Sequence, residues 1–276
     1  MVSPVIAIIG AGNMGNSLIG GLIKNNHPVD RLWAADPDEK KCAYLQQFYG
    51  IHTTTDNAAA IQAAEVIIFA IKPQIFAAVA KPLQELIQQR KPLIITIAAG
   101  IPVASIQQWL GGDLAIVRAM PNTPALISTG ATALFANTHV APEQHDIAES
   151  ILRAVGITEW LLSEHLIDIV TALSGSGPAY FFLVMEALQQ TAIELGLPAA
   201  TARILTLQTA LGAARMAIES GTPLDELRLQ VTSPGGTTEK AISVLEENNL
   251  RHVFKQALVA AKCRSEELAE LLGEKK

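Results

Sequence analysis

An apolar run, Val5-Ile6-Ala7-Ile8-Ile9, leads straight into Gly10, Gly12 and Gly15, and a helical pattern follows at once. Glycines at that spacing, strand before and helix after, are the fingerprint of a dinucleotide-binding turn. Gly10 allows the tight turn, Gly12 lets a pyrophosphate approach the backbone, and Gly15 lets the helix pack close to the sheet. Phosphates would then lie on the helix N-terminus, where free N–H groups and the dipole favour anions. The plainer alternative is a glycine-rich loop that only makes a compact turn.

The first half of the chain goes on alternating short apolar runs with helical stretches. Strands are expected near residues 5–9, 31–35, 66–71, 93–97 and 115–118, with further ones near 131–135 and 158–161. Helices are expected near 14–24, 39–48, 74–88, 103–109 and 142–154. Such alternation predicts a parallel sheet with helices on both faces, its ligands held at the carboxyl ends of the strands. From about Ser163 strand signals nearly vanish, and helices are expected over 164–173, 179–195, 199–220, 224–231, 238–248 and 250–272. The fold class is therefore α/β: a Rossmann-type doubly wound sheet over 1–162, followed by an all-α domain over 163–276. Residues 199–218 are apolar on most of a helical surface, which implies burial. So short a helical domain has trouble burying several such helices alone, so an intertwined homodimer is expected.

Composition narrows the partners. The net charge is −6 and no block of Lys or Arg stands out, which argues against nucleic acid. Cys42 and Cys263 are far apart and form no metal-ligand cluster, so they read as reduced thiols and no metal is expected. The start lacks a basic signal-peptide region, and no apolar run reaches the roughly 18 residues of a membrane span. A soluble, cytoplasmic protein with no membrane partner is the expectation.

Site residues should sit on the loops after the strands. Asp36, about 20 residues past the glycine loop, suits a ribose 2′-hydroxyl and would favour NAD over a 2′-phosphate. A helix cap in Asp36-Pro37-Asp38-Glu39 explains it equally well. Lys72 could neutralise a cofactor phosphate or simply be a solvated lysine. Ser174-Gly175-Ser176-Gly177-Pro178-Ala179-Tyr180 interrupts a helical region, as a ligand-approaching loop or as a helix–helix turn. Thr232-Ser233-Pro234-Gly235-Gly236-Thr237-Thr238 offers amides and hydroxyls ahead of a helix, a natural carboxylate site; N-capping by Thr237 or Thr238 is the alternative. The six histidines are scattered, and no nucleophile–base constellation is evident.

Taken together the motifs resemble the pyrroline-5-carboxylate reductase family along essentially the whole chain. The resemblance rests on residues 9–15, on Ala70-Ile71-Lys72-Pro73 and Ala98-Ala99-Gly100, on Arg118-Ala119-Met120-Pro121-Asn122-Thr123-Pro124, and on the two loops above. It implies reduction of 1-pyrroline-5-carboxylate to L-proline by NADPH or NADH, the last step of proline biosynthesis. It also implies a helical dimerisation domain, a site to which both subunits contribute, and dimers that assemble further, commonly into decamers. By resemblance, Gly10, Gly12, Asn13, Met14 and Gly15 bind the pyrophosphate, and Ala70, Lys72 and Pro73 line the cofactor cleft. Met120, Asn122 and Thr123 approach the nicotinamide. Ser233, Gly235, Gly236, Thr237 and Thr238 hold the substrate, with Thr237 or Thr238 reaching the imine nitrogen. Ser176 and Gly177 complete the pocket wall. Many relatives carry Asn, Ser or Arg where this chain has Asp36 and Pro37, which puts a strong NADPH preference in doubt.

Two rivals make different demands. A reductase of the β-hydroxyacid dehydrogenase type needs a lysine one helical turn after the Ser/Gly-rich loop, where this chain reads Pro178-Ala179-Tyr180-Phe181-Phe182-Leu183. A non-catalytic dinucleotide sensor would have no use for the 233–238 loop.

Overall fold

The computed structural model describes residues 3–273. The strands are β1 (Ile6–Ile9), β2 (Leu32–Ala35), β3 (His52–Thr54), β4 (Val66–Phe69), β5 (Leu93–Thr96), β6 (Ile116–Met120), β7 (Gly130–Ala136) and β8 (Gly156–Trp160). They form one sheet in the order β3-β2-β1-β4-β5-β6-β7-β8. The order reverses beside β1, the switch point at which such sheets open a crevice for ligands. All neighbouring pairs are parallel except β6–β7, which is antiparallel. The parallel sheet expected is thus present, with β6–β7 as its antiparallel pair. The chain turns back through the short 3₁₀ segment Thr123–Ile127, which is too brief to cross the sheet.

Alternation along β1 explains the two-sided core. Ile6 and Ile8 face one layer, with Leu18, Ile19 and Leu22 of α1 (Asn13–Lys24), Leu45 of α2 (Glu39–Tyr49) and Ile151 of α7 (Pro142–Arg153). Ala7 and Ile9 face the other. There they meet Ile61 of α3 (Asn57–Ala63), Phe76 of α4 (Phe76–Ala80), Ile87 of α5 (Gln84–Arg90), and Ile106 and Trp109 of α6 (Val103–Leu110). Burying each of these large side chains is worth about 1.5–3 kcal/mol.

Two local expectations are corrected. The helix expected over 74–88 is broken into α4 and α5 by a 3₁₀ turn at Lys81–Leu83, since Pro82 has no N–H to continue the ladder. The edge strand β3 and the helix α3, capped by the Asp56 carboxylate, went unexpected because both are short. No unbroken apolar run of membrane-span length is present, as expected, but the helical run that the structure makes is longer than any such stretch. Leu166–Glu194 is a continuous helical run long and apolar enough to cross a membrane by length and composition. Its apolar residues are interrupted by Ser174–Gly177, so no unbroken apolar stretch advertises it.

The remaining helices are α8 (Leu166–Val170), α9 (Gly177–Glu194), α10 (Ala199–Ser220), α11 (Leu224–Gln230), α12 (Thr237–Glu247) and α13 (Leu250–Leu272). Between α8 and α9 the chain makes a π-helical turn, Thr171–Gly175. By packing, the chain divides into one unit up to Ser176 together with the residues from Ala260 onward, and a second unit over Gly177–Val259. The division expected after residue 162 follows the change of secondary structure instead. In the first unit, Ser265 Oγ of α13 donates to the buried Asp168 carboxylate of α8 at 2.6 Å, and Leu272 packs on the second core layer.

In the second unit α9 packs on α10, yet most of the surface of both is exposed. Phe181, Phe182, Leu188, Ile204 and Leu211 are all more than half exposed, and Ala202 is the one buried residue of α10. The burial expected for 199–218 is therefore not achieved within one chain, because too few elements surround the helix.

Candidate active site

The glycine turn fits a pyrophosphate. Gly10 has a φ of +104°, and a Cβ there would stand 2.6 Å from the Ala70 carbonyl oxygen. The turn is held by the Gly10 N–H on Ala35 O and the Ala70 N–H on Ile9 O, both at 2.8 Å. A Cβ at Gly15 would lie 2.2 Å from Gly10 O, so helix and turn touch backbone to backbone. A Cβ at Gly12 would meet nothing within 4 Å, which leaves open space above the N-terminus of α1. No side chain caps that terminus and its first turn, which includes Asn13 and Met14, carries no acid. Its positive end is thus free to receive an anion.

Asp36, at the end of β2, is 5 % exposed. Its carboxylate accepts the Ala11 N–H at 2.8 Å and the Asp38 N–H at 3.0 Å, and it pairs with the Lys41 ammonium at 3.2 Å. Burial by itself would raise its pKa. The amide bonds from Asp38 and Ala11 and the Lys41 ammonium outweigh that and hold the group below its ordinary value. The cap of α2 is Asp38, whose side chain accepts the Lys40 N–H, so capping does not explain Asp36.

Beyond β4, Lys72 is exposed and Pro73 starts a 3₁₀ turn. Beyond β6, Asn122 heads the 3₁₀ segment, with Thr123 exposed behind it. The Asn122 carboxamide accepts the Ala131 N–H at 2.9 Å and donates to Ser174 O at 3.1 Å. Met120 Cε would lie 2.4 Å from a Cβ on Gly175. The fold thus brings the strand ends and the 174–176 turn together inside the first unit. That turn is not the loop or plain helix–helix turn expected: it is a π turn continuous with the helices around it.

Sequence reasoning missed the role of Arg118. It is buried in β6 and its Nη1 meets Glu164 Oε1 at 2.8 Å, while the same carboxylate oxygen accepts the Val103 N–H at 2.8 Å. Arg118 Nη2 is buried and has no hydrogen-bond partner among the described residues. A lone charge in the apolar run Ile116–Met120 was the available signal; nothing in the sequence marked Glu164 as its partner.

The 233–238 loop and Gly177 belong to the second unit. Gly235, at φ +72°, donates its N–H to Glu239 Oε2 at 2.6 Å, and the Gly236 N–H bonds Ser233 O at 3.0 Å. Gly236 is the residue preceding α12 and no side chain caps the helix, so neither Thr237 nor Thr238 acts as a cap. Their hydroxyls and that of Ser233 make no hydrogen bond among the described residues. The first-turn amides of Thr237 and Thr238 have no acceptor within the helix. The loop therefore presents hydroxyls and N–H groups at the start of α12, where the Glu239 carboxylate of the first turn already takes the Gly235 N–H.

A doubly wound sheet with this turn defines a dinucleotide-binding protein, and its relatives place it among the oxidoreductases that use a nicotinamide dinucleotide. Residues 5–100 match the family model described as NADP oxidoreductase coenzyme F420-dependent. Residues 164–268 match the one described as pyrroline-5-carboxylate reductase dimerisation. A pyrroline-5-carboxylate reductase from Pseudomonas aeruginosa is 48% identical over 99% of this chain and 100% of its own. The solved structure of one from Coxiella burnetii superposes with a TM-score of 0.93 at 47% identity, covering 97% of this chain and 99% of that one. A Plasmodium falciparum pyrroline carboxylate reductase, solved with NADP bound, gives 0.86 at 27% identity over 98% of this chain and 100% of that one. The chain belongs to the pyrroline-5-carboxylate reductase family.

Proposed function

We propose that the protein reduces 1-pyrroline-5-carboxylate to L-proline with NADH or NADPH, as the last step of proline biosynthesis. The observation that carries the reading is the open, acid-free N-terminus of α1 behind Gly10, Gly12 and Gly15, in a chain that matches this family along its whole length. That turn would hold the dinucleotide, whose reduced nicotinamide would supply the hydride for the imine. Gly10 to Gly15 receive its pyrophosphate, Ala70, Lys72 and Pro73 line its cleft, and Met120, Asn122 and Thr123 border the nicotinamide.

Ser233, Gly235, Gly236, Thr237 and Thr238 hold the substrate carboxylate, and Ser176 and Gly177 close the pocket wall. A protonated cyclic imine is already electrophilic, so the residues mainly orient it and exclude water. Thr238, or Thr237 beside it, hydrogen-bonds the imine nitrogen. Pro178-Ala179-Tyr180-Phe181-Phe182-Leu183 contains no lysine, which speaks against the lysine-based alcohol chemistry of the β-hydroxyacid type.

The exposed apolar faces of α9 and α10 support a homodimer through the helical region, and the family resemblance supports dimers that gather into decamers. Two free cysteines and an acidic net charge support a cytoplasmic enzyme that binds no nucleic acid.

The test is oxidation of NADH and of NADPH in the presence of 1-pyrroline-5-carboxylate, with proline quantified. Equal amounts of cofactor consumed and proline formed are expected. A folded protein that binds dinucleotide and turns over neither pair would be a sensor instead. In the active enzyme, Thr238→Ala is expected to lower kcat by about 10²-fold or more, the range of a lost positioned proton partner, with cofactor binding unchanged. Wild-type turnover would remove Thr238 from the mechanism.

A further inference from the structure

The segment Ser174-Gly175-Ser176-Gly177-Pro178 has an unusual need. Within a continuous helix the Ser174 carbonyl would accept from residue 178, but Pro178 has no N–H, and its ring crowds that carbonyl. The chain answers with a π turn, in which Ser176 N bonds Thr171 O at 2.8 Å. Two hydroxyls inside the turn are also committed, Thr171 Oγ1 to Ile167 O at 2.8 Å and Ser174 Oγ to Val170 O at 3.2 Å. The Ser174 carbonyl is satisfied from outside, by Asn122 Nδ2 at 3.1 Å.

Asn122 is fixed in turn. Its Oδ1 accepts the Ala131 N–H at 2.9 Å, which sets the amide orientation, since a flipped amide would face N–H against N–H. Its own carbonyl accepts the Ala125 N–H at 3.1 Å. Met120 presses on the same turn, with Cε where a Cβ of Gly175 would collide. Both ends of the Asn122 carboxamide are therefore engaged by protein, while the hydroxyl of Ser176 makes no hydrogen bond among the described residues.

We propose that Asn122 is a positioning residue, which clamps the π turn to the end of β6 and thereby sets where the Ser176 hydroxyl stands for the imine substrate. This rests on the reading above that Ser176 lines the substrate pocket. The π turn is the functional device here, as single π turns within helices often are. Asn122 supplies the donor that Pro178 withholds.

Asn122→Asp keeps the acceptor for Ala131 and removes the donor to Ser174. Two readouts separate clamping from direct cofactor contact. Amide exchange over 171–176 is expected to quicken about tenfold, the scale of one lost hydrogen bond, with the 10–15 turn unchanged. KM for 1-pyrroline-5-carboxylate is expected to rise about tenfold, a larger change than in the Kd for NADPH, whose nicotinamide Asn122 borders without spending its carboxamide on it. Pro178→Ala restores an N–H for the Ser174 carbonyl, so the double variant Asn122→Asp, Pro178→Ala is expected to regain exchange protection. Should Asn122→Asp misfold, Asn122→Ala with and without Pro178→Ala asks the same question.

Unchanged exchange, or a raised Kd for NADPH with unchanged KM for the imine, overturns the proposal. A wild type that never reduces the imine would overturn the function and, with it, the placement of Ser176 for that substrate, whatever the exchange shows.

Discussion

At the scale of single residues, Asp36 shows how one side chain serves two ends. Its carboxylate ties the glycine turn, through Ala11, to the start of α2, through Asp38. Its pKa is held below the ordinary 3.8, so the charged form is favoured more in the folded than in the unfolded chain. The stability this confers is complete above the unfolded value and is lost as pH falls through the lower folded one. Asp36→Asn is therefore expected to lower Tm at neutral pH, with the difference from wild type shrinking as the pH is brought from about 7 to about 3. Thermal melts across that range check it. In the active enzyme the same substitution is expected to shift the ratio of NADPH to NADH rates upward, because an acid that disfavours a 2′-phosphate has been neutralised. An unchanged ratio would confine Asp36 to holding the turn. Asp36 was legible in the sequence as a candidate; its bond to Ala11 was not, since it joins residues 25 apart through the register of β1 and β2.

Elements were legible where their patterns were long. The boundaries of α10 and α13 coincide with the punctuation of Pro198, Gly221 and the end of the periodic run. Short elements were not, because three polar residues of β3 carry no periodicity and acquire their conformation from pairing with β2. The end of α13 makes the same point. Its Ser265 is buried and donates to Asp168 across 97 residues, a contact no local pattern reveals. Ser265→Ala leaves a buried carboxylate without that donor and is expected to cost about 1–3 kcal/mol. Chemical denaturation checks this value, and a loss within error would mean that water replaces the hydroxyl.

At the scale of the whole molecule, the residues of the helical unit bury little of their own apolar surface. Exposed apolar area of that extent marks an interaction surface. Ile204 and Leu211, seven residues apart on one face of α10, are 66 % and 54 % exposed. Replacing both with Asp is expected to convert the assembly toward monomer in sedimentation, with activity falling alongside if both subunits build the site. A double variant that sediments as wild type would place the interface on another face.

The sequence by itself determined the Rossmann start, the longer strands and helices of the first half, the helical second half and the residue types of both loops. These follow from periodicity, glycine spacing and proline, which act over a few residues. Only the tertiary structure decided that β7 runs antiparallel, that Asp38 rather than Asp36 caps α2, that Arg118 meets Glu164, and that Asn122 holds the turn before Pro178. The Arg118–Glu164 and Asn122–Ser174 pairs join residues 46 and 52 apart, β7 takes its direction from its pairing with β6, and the choice between Asp36 and Asp38 follows from the bond that draws Asp36 to Ala11. The satisfaction of buried polar groups is a property of the packed chain, and no window of sequence contains it.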